Sequence, residues 1–498
     1  MHAITIKNYQ RVPFTSIPIL PYEQFLPVIL EELMINNSCH CVNYFGYARN
    51  GRIQLICCIA NDEEHIIHVT STITTHSATL QSLTSHQLSF HIFEREIHEQ
   101  FGIKFMNHPW LKPVRYPFNR SDQQQIIANY PFYSIDSEEL HEVGVGPIHA
   151  GIIEPGHFRF LCNGEQILHL EIQLGYQHRG IEQLFLNKTT LLQRATLAEN
   201  IAGDTVVGHA STFAHLWESL CDTVATPSIQ FERSLALEHE RIAIHTGDLS
   251  AMCTDLAYQL GSSVFGRLRT PIINYFQEWT GNRFAKGLIR PGKTNFPFTA
   301  SLANRWIEVI DAFEPDFLEM YDTLSDLPSA LSRMEKTGIV NKETAATIGM
   351  VGMAARASGF KRDIRNSHPE GWINISHQPI IKRHGDVFSR VQIRKEEVVQ
   401  SIDYIKQMLK KLPTINEPVI EMKNSKPNSF VIGLTEGWRG EICHCAITDE
   451  AGNLQLYKIK DPSIHNWLAL ALSVRNNEIS DFPICNKSFD LSYCGNDL

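Results

Sequence analysis

The chain has 498 residues, enough to bury more than one apolar core. Hydrophobic residues make up 43% and charged residues 20%, the balance of a globular protein in water, and a formal net charge of -10 works against general binding to nucleic acid or anionic membranes. Eleven cysteines, an odd number with no CxxC among them, read as reduced thiols rather than a disulfide framework. No uncharged apolar run approaches the ~18 residues that span a bilayer, and the opening MHAITIKNYQRVPF lacks a cationic-then-apolar leader. A cytoplasmic protein, held at a membrane only through partners, is the expectation.

In chain order, CVNYFGY and IQLICCIA flank Asn50-Gly51 and predict a hairpin, with EHIIHVTST as a third strand. A helix follows with Phe93, Ile97 and Phe101 on one face and Glu94, Arg95 and Glu99 elsewhere on its circumference. The proline-punctuated NHPWLKPVRYPF and glutamine-rich RSDQQQIIANYPF then stop regular structure. These patterns predict a small α/β unit over 1–125, a linker over 126–140 and a larger unit over 141–498. The larger unit opens with a hairpin, HFRFLCNGEQILHLEI, turning at Asn163-Gly164. Helices at about 188–221, 230–260, 300–320, 341–357 and 388–411 follow, and then a strand pair, EICHCAIT and LQLYKIK. The fold class is α+β, with the larger unit mainly helical and carrying small antiparallel sheets.

On the helix near 230–260, Glu238, Arg241, His245 and Asp248 form a stripe beside the apolar line Leu235, Ile242 and Leu249. The expectation is a solvated face rather than a buried proton relay. His239-Glu240 followed by His245 is not HExxH, because the second histidine comes two positions late, so no zinc site is read there. The pairs Cys39/Cys41 and Cys443/Cys445 read as structural, since buried free cysteine behaves as a small hydrophobe. Phosphate-loop, dinucleotide-fingerprint and nucleophile-elbow motifs are all missing, which leaves no direct nucleotide pocket.

The segment FEREIHEQFGIKFMNHPWLKPVRYPF resembles the C-type subunit of complex I, the NADH-quinone oxidoreductase, in its ERE, FGI and HP elements. The segments GPIHAGIIEPGHFRF, LGYQHRGIEQLF, KGLIRPG, TGIVNKETAATIGMVGMAARASGFKRDIR, GDVFSRVQIRKEEVVQSI and TEGWRGEICH resemble the D-type subunit. They resemble more closely the large subunit of energy-converting nickel–iron hydrogenases of the formate hydrogenlyase and hydrogenase-4 type. The resemblance implies one polypeptide joining C-like and D-like parts, an oxidoreductase subunit in a membrane-associated complex, with NAD chemistry carried by other subunits.

In those hydrogenases two CxxC pairs hold the metals. Here the first pair falls on Ala202 and Thr205 and the second on Ser463 and Asn466, so a methyl, two alcohols and an amide replace four thiolates. The expectation is no nickel–iron centre and no cofactor bound by this chain, with an iron–sulfur cluster in a partner subunit. By the same alignment, the complex I quinone histidine is replaced by the neighbourhood of Glu154-Pro155 and the quinone tyrosine by Ile201. A quinone therefore remains a possible ligand only at a reshaped site using Glu154 or His157. Glu154, in EPGHFRF, resembles a hydrogenase glutamate that passes protons; alternatively it is a hairpin-edge carboxylate paired with an arginine such as Arg159. His178 and Arg179 match the family's HRG, which implies a position facing the partner's cluster.

In the stretch ENIAGDTVVGH, Glu199, Asn200, Asp204 and His209 are expected to line the vestige of the metal cavity. With Glu154 and His157 they form the expected catalytic or proton-transfer set. The implied partners are an iron–sulfur small subunit and antiporter-like and other membrane subunits, and the implied location is peripheral, on the inner face of the cell membrane. The tail DFPICNKSFDLSYCGNDL occupies the region of the removable hydrogenase extension, and without nickel no maturation cleavage is expected.

Overall fold

The computed structural model describes residues 2–149, 153–369, 375–411 and 420–498, so Ala150, Gly151 and Ile152 of the GPIHAGIIEPGHFRF segment lie outside it. Cys39–Arg49 (β1), Arg52–Asn61 (β2) and Ile66–Thr74 (β3) pair antiparallel in chain order, and β3 also pairs with Ile4–Ile6 and Ile19–Leu20. The β1–β2 turn places Asn50 and Gly51 at φ of 51° and 74°, the left-handed pair that a tight twisted hairpin requires. His91–Phe101 (α1) buries Phe93 and Ile97 against this sheet and stops at Gly102, φ 70°. Its acidic residues are not simply solvated. Glu94 is buried and accepts hydrogen bonds from Ser82 Oγ (2.5 Å), Leu83 N (2.7 Å) and Thr84 Oγ1 (2.6 Å), so it ties the preceding loop to the helix.

His141–Val145 (β4), His157–Asn163 (β5) and Gln166–Gln173 (β6) form the second sheet. The single helix expected over 188–221 divides into Leu191–Ala198 (α2) and Val206–Leu220 (α3). It breaks because polar side chains compete with the helical backbone. Glu199 accepts from Gly287 N (2.7 Å) and Arg290 Nη1 (2.6 Å), while Asn200 Nδ2 donates to Thr196 O (2.6 Å).

Pro227–Asp255 (α4) is followed by Gln259–Thr280 (α5), a helix that Gly261, Gly266 and Pro271 conceal from a propensity reading. Burial of Phe265, Leu268, Ile272, Tyr275, Phe276 and Trp279 overrides those residues. Ala300–Ser325 (α6) packs against α5, and the helix expected over 341–357 is two, Lys342–Ile348 (α7) and Gly352–Ala357 (α8). Val387–Leu409 (α9) lies against α4.

The last sheet gains a strand over the expected pair. Ser429–Glu436 (β7), Glu441–Thr448 (β8) and Leu454–Lys460 (β9) form a meander whose β7 edge takes Val12–Pro13 from the far end of the chain. One apolar cluster then joins Phe14, Phe45 and Ile56 to Phe430, Ile432 and Cys445, so the first and last parts share a core. All eleven cysteines are buried and free. Ser463–Ser473 (α10) follows β9. No helix among the described residues is long and apolar enough to cross a membrane. The architecture is the expected α+β, mainly helical after a small α/β unit.

Gly352 fixes one approach on which the site depends. Its φ is 68°, and a Cβ there would lie 2.1 Å from Arg439 O. Gly352→Ala is expected to cost about 2–3 kcal/mol, from strain plus a backbone clash, read as a lowered denaturation midpoint.

Candidate functional site

The loop between α2 and α3 carries Glu199, Asn200, Ala202, Asp204 and Thr205, and an arginine from the β7–β8 turn closes over it. Arg439 donates from Nη2 to Asp204 Oδ2 (2.6 Å) and from Nη1 to Asp204 Oδ1 (3.1 Å) and Thr205 Oγ1 (3.2 Å). Its guanidinium lies 4.0 Å above the Trp438 ring, and Trp438 Nε1 donates to Asp204 O (2.9 Å). Burial opposes the charge on Arg439, yet Asp204 beside it raises its pKa further above the usual range.

The degenerate ligand positions are engaged elsewhere. Ala202 is a buried methyl, Thr205 faces Arg439, and Ser463 Oγ accepts from Ser492 N (2.9 Å). The Asn466 side chain makes a two-way amide pair with the Val351 backbone (3.2 and 3.1 Å). A methyl, two hydrogen-bonded alcohols and a saturated amide do not fit a nickel–iron centre, which takes soft thiolates.

His209 is fully buried within a relay. Its Nε2 lies 3.1 Å from Asp461 Oδ2 and its Nδ1 3.1 Å from His444 Nε2, while His444 Nδ1 lies 2.8 Å from the Tyr457 hydroxyl. One assignment satisfies every group: Tyr457 donates to His444, His444 to His209, and His209 to Asp461. Burial, then the neighbouring His209, pushes the His444 pKa well down, and burial pushes the Tyr457 hydroxyl well up. Burial works against ionised Asp461, but His209 and Arg439 hold its pKa below the usual carboxylate value.

The tail segment Tyr493–Asp497 gathers Glu154, His178 and Arg179. Cys494 N donates to Glu154 Oε2 (2.9 Å), so Glu154 does not pair with Arg159, which binds Glu142 (2.7 Å) instead. His178 Nδ1 bonds Asp497 O (2.7 Å). Arg179 donates to Asn200 O (2.6 Å), Ile201 O (2.8 Å) and Cys494 O (3.1 Å), stitching the α2–α3 loop to the tail while remaining exposed. His157 rests on Phe132 with ring centroids 5.1 Å apart, and its buried Nε2 has no hydrogen-bond partner. Glu199 belongs to the Arg290 ion pair and so secures the loop from behind.

The solvated reading of the α4 stripe is overturned. Glu238, Arg241, His245 and Asp248 are all 5% exposed or less, because α9 covers them with Arg394, Glu397 and Ser401. Glu397 is the hub: Oε2 meets His245 Nε2 (2.9 Å) and Arg241 Nη1 (3.4 Å), and Oε1 accepts from Arg356 Nη2 (2.6 Å). Arg365 bridges Glu238 (3.2 Å) and Asp363 (2.8 Å), and His377 links Asp363 (2.9 Å) to the Tyr404 hydroxyl (2.9 Å). The ladder reaches the Asp204–Arg439 pair by two routes. His245 packs edge-on to Trp438, with centroids 5.8 Å apart, and Arg439 Nε donates to Asp490 O (2.5 Å) beside Asp248.

Within this network some carboxyls are forced up and others down. Burial opposes ionisation of Glu397, yet Arg356, His245 and Arg241 hold its pKa well below the usual range. Burial and the adjacent Asp490 push Asp248 up to about 8, and burial and Asp363 push Glu436 up to about 7. Burial takes Glu240 up to about 8 despite hydrogen bonds from Val207 N (2.8 Å) and Gly208 N (3.2 Å).

The sequence reading gave no role to Arg356, Asp363, Arg365, Glu397, Glu436 or Arg439, although all lie in segments it singled out. A usable signal existed. Positions 390, 394, 397 and 401 on α9 repeat the three-and-four spacing of 238, 241, 245 and 248 on α4, with complementary polar groups.

Comparison with known proteins finds two matching families. Residues 24–121 match the family model "Respiratory-chain NADH dehydrogenase, 30 Kd subunit", and residues 260–430 match "Respiratory-chain NADH dehydrogenase, 49 Kd subunit". The two stretches thus carry domains similar to these two oxidoreductase subunit families, in one polypeptide. Among its relatives are hydrogenase-4 component G of Escherichia coli K12, 26% identical over 388 residues (78% of this chain, 67% of the relative), and formate hydrogenlyase subunit 5 of the same organism, 27% identical over 420 residues (80% and 74%). The C/D subunit of NADH-quinone oxidoreductase from Phocaeicola vulgatus is 26% identical over 420 residues (76% and 79%).

The raised carboxyls set a pH dependence. Between its unfolded value of about 4 and its folded value of about 8, Asp248 holds a proton that the unfolded chain releases, so stability falls as pH rises through that window. Asp248→Asn is expected to make that fall shallower in denaturant titrations from pH 4.5 to 8, with the smallest difference from wild type at the acid end.

Proposed function

We propose that this chain is the peripheral-arm large subunit of a complex I-like, energy-converting hydrogenase-related oxidoreductase assembly that works without a nickel–iron centre. It packs on an iron–sulfur small subunit, sits at the inner face of the cell membrane through antiporter-like membrane subunits, and couples electron transfer in the partner to ion movement.

The observation that carries this reading is the buried run of polar and charged groups from Arg439, paired with the part-exposed Asp204, through His245, Glu397 and Glu238 to His377 and Tyr404. Arg179, an exposed guanidinium that among the described residues bonds backbone carbonyls alone, is the group turned to the partner's cluster, with His178 beside it. An electron arriving on that cluster adds one negative charge. At about 15 Å and an effective dielectric of about 20 this is worth about 1 kcal/mol, close to one pKa unit. Asp248, Glu436 and Glu240 stand near the working pH, so reduction favours proton uptake among them and reoxidation favours release. Glu154, Asp204 and the His209–Asp461 pair pass protons between the loop and this ladder, while Glu199 holds the loop in place.

A quinone-reducing alternative rests on His157, whose unpartnered Nε2 stands in the hairpin that also supplies Glu154. Loss of activity with quinone-site inhibitors in the wild type, relieved in His157→Ala, would favour it.

In the assembly reconstituted in vesicles, Asp204→Asn and Asp248→Asn are expected to keep electron transfer within about twofold while ion pumping falls about tenfold or more. Unchanged pumping in both variants would sink the coupling role.

A further inference from the structure

Between α1 with the 109–114 loop, the β5–β6 hairpin and α10 lies a cavity of about 930 Å³, within the range of about 300–1,000 Å³ typical of small-molecule sites. It is separate from the Asp204–Arg439 pair and no step of the proposed coupling uses it. Its walls are apolar: Leu161, Leu170 and Ile172 from the hairpin face Trp467, Leu468 and Leu472 from α10.

Set into those walls are polar groups that the fold leaves unmatched. His91 lines the cavity and is 4% exposed, and neither of its ring nitrogens has a hydrogen-bond partner. Trp467, also lining it, buries an Nε1–H with no acceptor. Buried donors are satisfied in folded proteins far more often than not, so two orphans on one cavity point to a missing acceptor.

The charges point the same way. Glu171 alone among the lining residues is a carboxylate, and it is committed to an ion pair with Lys112, to the Tyr130 hydroxyl (3.1 Å) and to Tyr133 N (2.6 Å). Arg95 gives Nε and Nη2 to the carbonyls of Lys112 (2.9 Å) and Pro113 (2.8 Å), and Arg475 meets only the His169 ring (3.3 Å). Neither arginine has an ion-pair partner among the described residues, which leaves two unbalanced cations on an apolar cavity.

We propose that this cavity binds a single amphiphile with a carboxylate head and a long aliphatic body, of the fatty-acid class. The body lies between the hairpin and α10. The carboxylate meets Arg475, whose exposure marks the mouth, and the orphaned Trp467 and His91 nitrogens supply hydrogen bonds to it. A free monomer fits better than a lipid surface, because the site is concave and the chain's net charge of -10 repels anionic membranes. Occupancy bears on α10, where Asn466, next to Trp467, holds the Val351 backbone.

The test titrates the full chain with dodecanoate below its micellar concentration, by calorimetry and by tryptophan fluorescence with Trp467→Phe as reference. One dodecanoate per chain is expected, with no saturable binding of dodecyltrimethylammonium. Arg475→Glu, at an exposed position, should weaken dodecanoate about tenfold or more, and Leu468→Trp should block it. Equal binding of anion and cation, undiminished binding in both variants, or binding to phosphatidylglycerol vesicles but not to monomeric dodecanoate would each overturn the site.

Discussion

A guanidinium cannot lose its water without gaining acceptors, and this fold buries Arg233, Arg241, Arg356, Arg390, Arg394 and Arg439 almost completely. Desolvation costs several kcal/mol per ion, so each arginine dictates what stands opposite it. Glu218 answers Arg233, Glu397 and Glu436 answer Arg356, Asp248 answers Arg394, and Asp204 answers Arg439. Arg390 pairs with no carboxylate among the described residues and takes Gly338 O, Gly385 O and Ser488 Oγ instead, while stacking on Phe489. Sliding α9 one turn along α4 would strand several charges at once, so the ionic pairs set the register of the two helices more sharply than their apolar faces do.

The same constraint shapes the loop where the resemblance to hydrogenases would put metal ligands. Where the hydrogenase pattern calls for thiolates, the loop keeps its shape through Arg439 on Asp204 and Thr205, Arg179 on the carbonyls of Asn200 and Ile201, and Asn466 on Val351. These bonds hold together elements that a metal cluster would otherwise clamp. The surroundings stay polar and dry, the setting in which a carboxyl such as Asp248 is forced to share its proton with its neighbours' charges.

Much of the fold could be read from local pattern. Asn50-Gly51 and Gly164 turn where the sequence places them, α6 and α9 follow their apolar periodicity, and β8 and β9 appear as expected. What escaped depended on tertiary partners. β7 is buried on both faces and so shows no alternation, and α5 tolerates Pro271 only because its aromatic face is covered. Val12–Pro13 finds β7 from more than four hundred residues away, which no window reading can see. At the site, the sequence reading gave roles to Asp204, His209 and Glu154 but none to their partners Arg439, His444 and Cys494, because hydrogen-bond partnership is fixed by packing. The α4 stripe was misassigned for the same reason: spacing shows which residues share a face, and only the α9 stripe opposite shows that the face is covered.

The most direct measurement is redox-induced infrared difference spectroscopy of the intact assembly, comparing wild type with Asp248→Asn. If the proposed iron–sulfur partner is present, its reduction should perturb a protonated-carboxyl C=O band that the variant lacks. A carboxyl region that stays silent on reduction, or one identical in both proteins, would contradict a buried ladder that trades protons with electron transfer.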